Sequence, residues 1–192
     1  VIRRVIAILF FVAAGCSTRL APTTASAVAT TAPAGRMEFS PANTRITFVG
    51  SALFNSHEGE FRQFTGRFDC PGDDPTAGHL ACRIDMASVE TKIPLLTKHL
   101  KDSDFFDVAA YPTATFDSTS IRHDADGSDL ITGNLRLHGV THPVSIPAKI
   151  TEDPATITIE AHFTIRQSDF GMASARTTTD DVPVTVTARL RR

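Results

Sequence analysis

Apolar and polar side chains alternate at every second position through most of this chain, the period of a strand with one buried and one wet face. Arg45 to Phe54 places Ile46, Phe48, Gly50, Ala52 and Phe54 on one face, with Gly50 a bend or bulge. Glu60 to Asp69 carries Phe61, Phe64 and Phe68 out of strict period, which predicts a bulge near Gln63. Leu80, Cys82, Ile84 and Met86 alternate for a third strand; Thr113 to Ser120, with Ala114 and Phe116, gives a fourth. Ser128 to Leu137 carries Leu130, Thr132, Leu135 and Leu137 around Gly133, Val144 to Ile150 follows, and Ile157 to Ile165 is the best patterned of all. Val182 to Leu190 makes the eighth. The turn signals Asp126-Gly127, His138-Gly139 and Asp153-Pro154 leave connections so short that neighbours must pair antiparallel.

Eight such strands leave two edges to manage. Closure into an up-and-down barrel removes both, with a two-sheet sandwich as the alternative. The predicted class is therefore all-β, an eight-stranded antiparallel barrel whose interior either fills with side chains or holds one small ligand.

One segment interrupts the alternation. Thr91 to Leu100 has the marks of a short amphipathic helix, with Thr91 as a cap, Pro94 in the first turn, and Leu95, Leu96, His99 and Leu100 on one side. Ser103, a second possible cap, precedes two adjacent rings, Phe105 and Phe106, between Asp104 and Asp107. A helical insertion near residues 92–107 is expected, as a plug in an open end of the sheet or as a lid over an apolar cavity. A second break, Gln167 to Thr179, carries Asp169-Phe170-Gly171-Met172 and reads as a turn or loop over the sheet, pinned by Arg166 on Asp169.

The front of the chain follows other rules. Arg3 and Arg4 precede the apolar run Val5 to Ala14, which suits a signal-peptide core and is too short to span a bilayer as a helix. Small residues, Ala13-Ala14-Gly15, stand before Cys16 as in a bacterial lipobox, so Cys16 is the expected lipidation site, with an unlipidated secreted form as the alternative. Ser17 to Arg36 is small, hydroxylated and broken by Pro, a flexible tether with a reach of roughly 25 Å. The expected divisions are a signal peptide at 1–15, a lipidated Cys and tether at 16–36, and the β domain at 37–192. Export to the periplasmic face of a membrane follows, and Ser17 after the cysteine resembles lipoproteins of the outer membrane.

In an oxidising compartment Cys70 and Cys82, flanking the turn-rich stretch PGDDPTAG, are expected to form a disulfide worth about 3 kcal/mol, with two buried thiols as the alternative. A formal net charge of -2 with no sustained basic run excludes a nucleic-acid binder. Thirteen Phe against one Tyr and no Trp supply rings without polar handles, suited to a dry core or an apolar ligand. The seven His suggest no metal site: His138 and His142 flank a turn in strand context, where a spacing of four has no helical meaning. No catalytic motif is present, and no catalytic residue or cofactor is assigned.

The stretch HLKDSDFFDVAAYPTATF (His99 to Phe116), GNLRLHGVTHPV (Gly133 to Val144) and IRQSDFGM (Ile165 to Met172), in this order and spacing, resemble the YceI family of bacterial polyisoprenoid-binding proteins. The resemblance covers residues 37–192 and implies a lipocalin-like barrel, exported, that holds a quinone, a prenyl compound or a similar long amphiphile. On that reading the apolar strand faces place Phe48, Phe64, Phe116, Leu137, Ile159 and Phe163 in the wall of a pocket. Leu96, Leu100, Phe105 and Phe106 form its lid, and His99 reaches the headgroup or else bonds to backbone. The function so implied is carriage or storage of an apolar molecule; the rival reading is an envelope interaction lipoprotein with a filled core.

Overall fold

The computed structural model describes residues 35–52, 55–72, 74–172 and 179–192. The signal peptide, Cys16 and the tether up to residue 34 lie outside the described residues. Among the described residues eleven strands and one α-helix follow in the order β1 (Arg36–Phe39), β2 (Thr44–Ser51), β3 (Ser56–Phe61), β4 (Phe64–Asp69), β5 (His79–Asp85), β6 (Val89–Thr91), α1 (Pro94–Lys101), β7 (Thr113–His123), β8 (Asp129–Leu137), β9 (Val140–Glu152), β10 (Thr156–Arg166) and β11 (Asp181–Arg191). All belong to one antiparallel sheet, ordered β1-β4-β5-β7-β8-β9-β10-β11-β2-β3-β6.

Eleven strands and the eight predicted describe the same chain path. β3 and β4 are two halves of one run bent at Arg62 and Gln63, the site of the predicted bulge, and β5 and β6 are halves of its neighbour, separated by the 3-10 turn Met86–Ser88. Across the bend the Arg62 N–H donates to Ser88 O at 3.2 Å and the Asp85 N–H to Gln63 O at 3.0 Å. One half of the bent run pairs with β2 and β6, the other with β5 and β1, so the sheet curls round until it meets itself. The inward parity changes there, from Gly59 and Phe61 to Phe64, Gly66 and Phe68, which is why the Phe residues fall out of period. The unpredicted β1 is a four-residue addition beside β4 that buries Met37 and Phe39.

Local chemistry sets the hairpins. His138 (φ 50°) and Gly139 (φ 77°) form a two-residue left-handed turn between β8 and β9, the type whose twist matches the strands it joins. Asp153 accepts from the N–H groups of Ala155 and Thr156, both at 2.8 Å, and closes the β9 to β10 connection. A register shift between Ser118 and Ser120 returns Ile121 to the interior and carries β7 past its predicted end.

The interior divides along the strands. At the end away from α1, Met37, Phe39, Phe68, Ile121, Ile131, Ile157 and Leu190 pack into one cluster in which Phe68, Ile157 and Leu190 are fully buried. Toward α1 a second cluster gathers Met86, Ala114, Leu137, Phe170 and Met172.

Three sequence expectations are corrected here. No disulfide joins Cys70 and Cys82. In the β4–β5 ladder Cys82 stands opposite Gly66 and Asp69 opposite His79, so the two cysteines are offset by four residues, about 13 Å of strand, where a disulfide needs Cα atoms within about 7 Å. The Cys70 thiol instead points at the carbonyls of Gly72 and Asp74, at 3.6 and 3.5 Å. Thr91 does not cap α1: Ile93 holds that position with no side-chain cap, while the Thr91 hydroxyl donates to Ile93 O at 2.9 Å. Arg166 pairs with Asp180 at 3.2 Å and not with Asp169, because the 3-10 turn Gln167–Phe170 sets the start of β11 against it.

Candidate functional site

Between the two clusters the strands enclose a cavity of about 290 Å³. It runs from Phe39, Leu80 and Ala188 at the packed end to Leu96, Leu100, Phe105 and Phe106 under α1 and the turns that follow it. Its wall follows from strand period: Ile46 and Phe48 on β2, Ile84 on β5, Ala114 and Phe116 on β7, Leu135 and Leu137 on β8, Ile159, Ala161 and Phe163 on β10, and Val182, Val184 and Val186 on β11. Each is the inward member of an alternating pair.

The roof is wound from short-range hydrogen bonds. After α1 the Phe106 N–H donates to Leu100 O at 3.1 Å and the Asp107 N–H to Asp102 O at 3.0 Å, with Asp107 at φ 42°. This turn brings both adjacent rings over the opening. Phe106 stands edge-on to Phe48, with centroids 6.1 Å apart, and lies 6.0 Å from Phe61. Three rings therefore close this corner, and Phe106 serves both as lid and as core, since it also packs on the cluster of Phe170 and Leu137. The helix contributes one narrow edge. Leu96 and Leu100, four apart, face the cavity, whereas Leu95 is 77% exposed.

The residues singled out in the sequence separate as follows. Phe48, Leu96, Leu100, Phe105, Phe106, Phe116, Leu137, Ile159 and Phe163 line the cavity. Phe64 does not: it is buried at the bend, where the parity change gives the cavity-facing place to Phe61. His99 is also outside the lining; its ring packs against Phe105 at 4.8 Å, with Nδ1 4.0 Å from Asp102, on the half-exposed side of α1. Ile131 takes the inward place on β8 that the pattern assigned to Leu130. Extending Gly133, Leu135 and Leu137 backward by two would have found it.

Polar contributors to the lining are few. They are Thr44 near the packed end and Ser51, His57, Thr91 and Gln167 around the roof. None of these five was singled out in the sequence for a place at the cavity, because a single polar residue at or near the end of an element leaves no periodic trace. Cys82 also lines the wall, and burial pushes its thiol up to about 11, so it stays protonated at neutral pH. Beside the roof, hydrogen bonds from the Ser168 hydroxyl and N–H, together with Arg166, hold the Asp180 carboxyl below the usual carboxylate range and tie the 167–170 turn to β11. Among the described residues no group of three or more His, Cys, Asp or Glu is arranged to hold a metal ion. His138 packs on Tyr111 at 4.3 Å and His142 on Phe170 at 5.9 Å.

This architecture has counterparts. A family profile described as the YceI-like domain matches residues 37–190. The chain belongs to the YceI-like family. Protein YceI of Escherichia coli O157:H7 is 39% identical over 136 residues, covering 68% of this chain and 69% of that protein. A UPF0312 protein of Pseudomonas aeruginosa is 39% identical over 120 residues, 59% of this chain and 62% of its own length. Among solved structures, BcnA of Burkholderia cenocepacia superposes with a TM-score of 0.71 at 23% identity, covering 79% of this chain and 98% of that one. A polyisoprenoid binding domain from Saccharophagus degradans gives 0.62 at 20% identity, covering 82% and 98%. At these identities the two structures bear on the fold, a nearly all-β antiparallel sheet curled into a barrel with one short helix.

Proposed function

We propose that this YceI-like chain binds a long apolar amphiphile in its interior, an isoprenoid such as a quinone or a polyprenyl compound, and carries or stores it in the bacterial cell envelope. The observation that carries the reading is the cavity itself. It is a continuous apolar space at the lower end of the size range of small-molecule sites, about 300–1,000 Å³, and roughly twice the ~150 Å³ void that takes up benzene. A core built only for stability fills such a space, because leaving it open forfeits packing on every wall. An apolar chain entering it gains about 0.8 kcal/mol for each CH2 removed from water. The name of the Saccharophagus degradans domain supports the same ligand class.

In this reading Phe48, Phe116, Leu137, Ile159 and Phe163 contact the chain of the ligand, and Leu96, Leu100, Phe105 and Phe106 form the gate. A lipid on Cys16 and the tether behind it hold the barrel near a membrane, on its periplasmic side, from which the ligand is taken. The chemistry required is burial, with no bond made or broken.

The test is solvent extraction of the purified full chain and mass spectrometry of what is released, beside a Phe106→Asp variant. A stoichiometric isoprenoid or other long-chain amphiphile from the wild type, and none from the variant, is the expected result. A wild type that yields nothing and takes up neither quinones nor polyprenols would leave a filled-core interaction protein in its place.

A further inference from the structure

This inference rests on the container reading and concerns the end of the ligand that is not a hydrocarbon. Among the described residues lining the cavity there is no Lys, Arg, Asp or Glu. Most of its polar groups are already engaged: the Thr91 hydroxyl is held by Ile93 O and Thr97, and the Gln167 amide donates to Thr179 O at 2.8 Å. His57 differs. Half-buried on β3, its imidazole is bonded to no other described residue. Across the ladder it stands opposite Gly50, on the same inward face, where an added Cβ would meet nothing within 4 Å. Two residues along β3 the opposite holds: a Cβ on Gly59 would come 2.4 Å from the Phe48 ring, so the protein fills that place itself. Among the described residues the room beside His57 is left open, next to the one polar ring facing the cavity.

We propose that His57 and the room beside Gly50 seat an uncharged headgroup bearing a carbonyl or a hydroxyl, as in a quinone or a long-chain alcohol, and that the site rejects the phosphorylated form of the same chain. A neutral imidazole offers one N–H donor and one acceptor nitrogen: the donor meets a carbonyl, and either can meet a hydroxyl. A diphosphate carries several negative oxygens and needs cations or converging N–H donors once it leaves water, and the described wall supplies neither.

Farnesol, farnesyl diphosphate and decylubiquinone separate the cases, titrated calorimetrically into the full chain after its own lipid has been removed. Farnesol and decylubiquinone should bind, with farnesyl diphosphate weaker than farnesol by on the order of 100-fold. His57→Leu should weaken both neutral probes by about fivefold to tenfold, the loss of one neutral hydrogen bond, while His57→Gln, which keeps a donor and an acceptor, restores most of it. Gly50→Val, which fills the room, should weaken decylubiquinone with its broad ring more than slender farnesol. Unchanged circular dichroism and Tm confirm that each variant is folded. Farnesyl diphosphate binding as tightly as farnesol, or His57→Leu binding the neutral probes like the wild type, overturns the headgroup assignment and leaves the container reading standing. Failure of all three probes to bind overturns both.

Discussion

The two ends of the barrel are built on different terms. At the end away from α1, Phe68, Ile157, Ala188 and Leu190 have no exposed surface, and β1 adds Met37 and Phe39 to seal the floor. At the α1 end the helix has no buried residue, Leu95 and Ile93 face solvent at 77% and 41%, and the roof is held by turn hydrogen bonds and three touching rings. The first end obtains its order chiefly from burial. The second keeps apolar side chains half-covered, which costs stability and, on the container reading, makes it the part expected to open without unfolding the rest.

The sharpest way to break this contrast is to truncate one ring at each end. Phe68→Ala should cost about 3–5 kcal/mol in urea unfolding, the usual loss for a fully buried ring. Phe106→Ala should cost about 1–2 kcal/mol, because much of its surface already faces the cavity, yet it should weaken ligand retention far more than Phe68→Ala does. Equal stability losses at the two positions would mean that the roof is as much part of the core as the floor.

An effect smaller than the loss of Phe68 is expected at the rim of the packed end, where the buried Asp129 carboxylate accepts from His123 Nδ1 at 2.8 Å and from the Ile150 N–H at 2.7 Å. Asp129→Asn should cost about 2 kcal/mol in the same unfolding measurement, since it disturbs two hydrogen bonds at a site nearly closed to water. Bonding to Asp129 raises the His123 pKa above its usual value. The pair's stabilisation is therefore complete below about pH 6.5, the unfolded value, and fades as pH rises through the folded value. Comparing Tm against pH for wild type and His123→Ala checks this: the two curves should converge as pH increases.

At the roof the sign reverses. The Asp180 carboxyl, with its pKa lowered first by the Ser168 hydroxyl, stabilises fully above the ordinary carboxylate value near 3.9 and loses that contribution as pH falls toward its folded value. Acid should thus loosen the 167–170 turn before the floor, seen as faster amide exchange at Gln167 and Ser168 than at Ile157. The smallest and most local effect concerns Cys82, whose thiol lines the cavity beneath the roof. Alkylation, located by peptide mass, should be slow at neutral pH, rise steeply toward pH 11, and be faster in Phe106→Ala than in Phe68→Ala.

The sequence made the wall readable and the rim obscure, for a physical reason. A strand with one buried face repeats its choice every two residues, so Ile159, Ala161 and Phe163 announce one another, and even the bend at Gln63 shows as a break in the period. The rim is built from single events. Nothing in the spacing distinguishes His57, which faces the cavity, from His99, which the turn after α1 puts outside against Phe105. The disulfide expectation failed for a related reason: a turn-rich loop between two cysteines says that strands pair, but only the register says which residues meet. Phe64 and Leu130 were misplaced by one parity step each, at the bend and at the start of β8.

The bent run from Ser56 to Asp69 has a further consequence, for the behaviour of many copies together. By bringing the sheet back to itself it leaves as outer strands, among the described residues, only β1 and β6, of four and three residues. The backbone N–H of Thr91 on β6 is already satisfied by the hydroxyl of Thr97 at 2.9 Å. A neighbour seeking to extend the ladder thus finds almost no unpaired backbone to dock on. Barrels of this design can be held side by side at high local concentration, as molecules tethered to a shared surface would be, without templating one another into fibres.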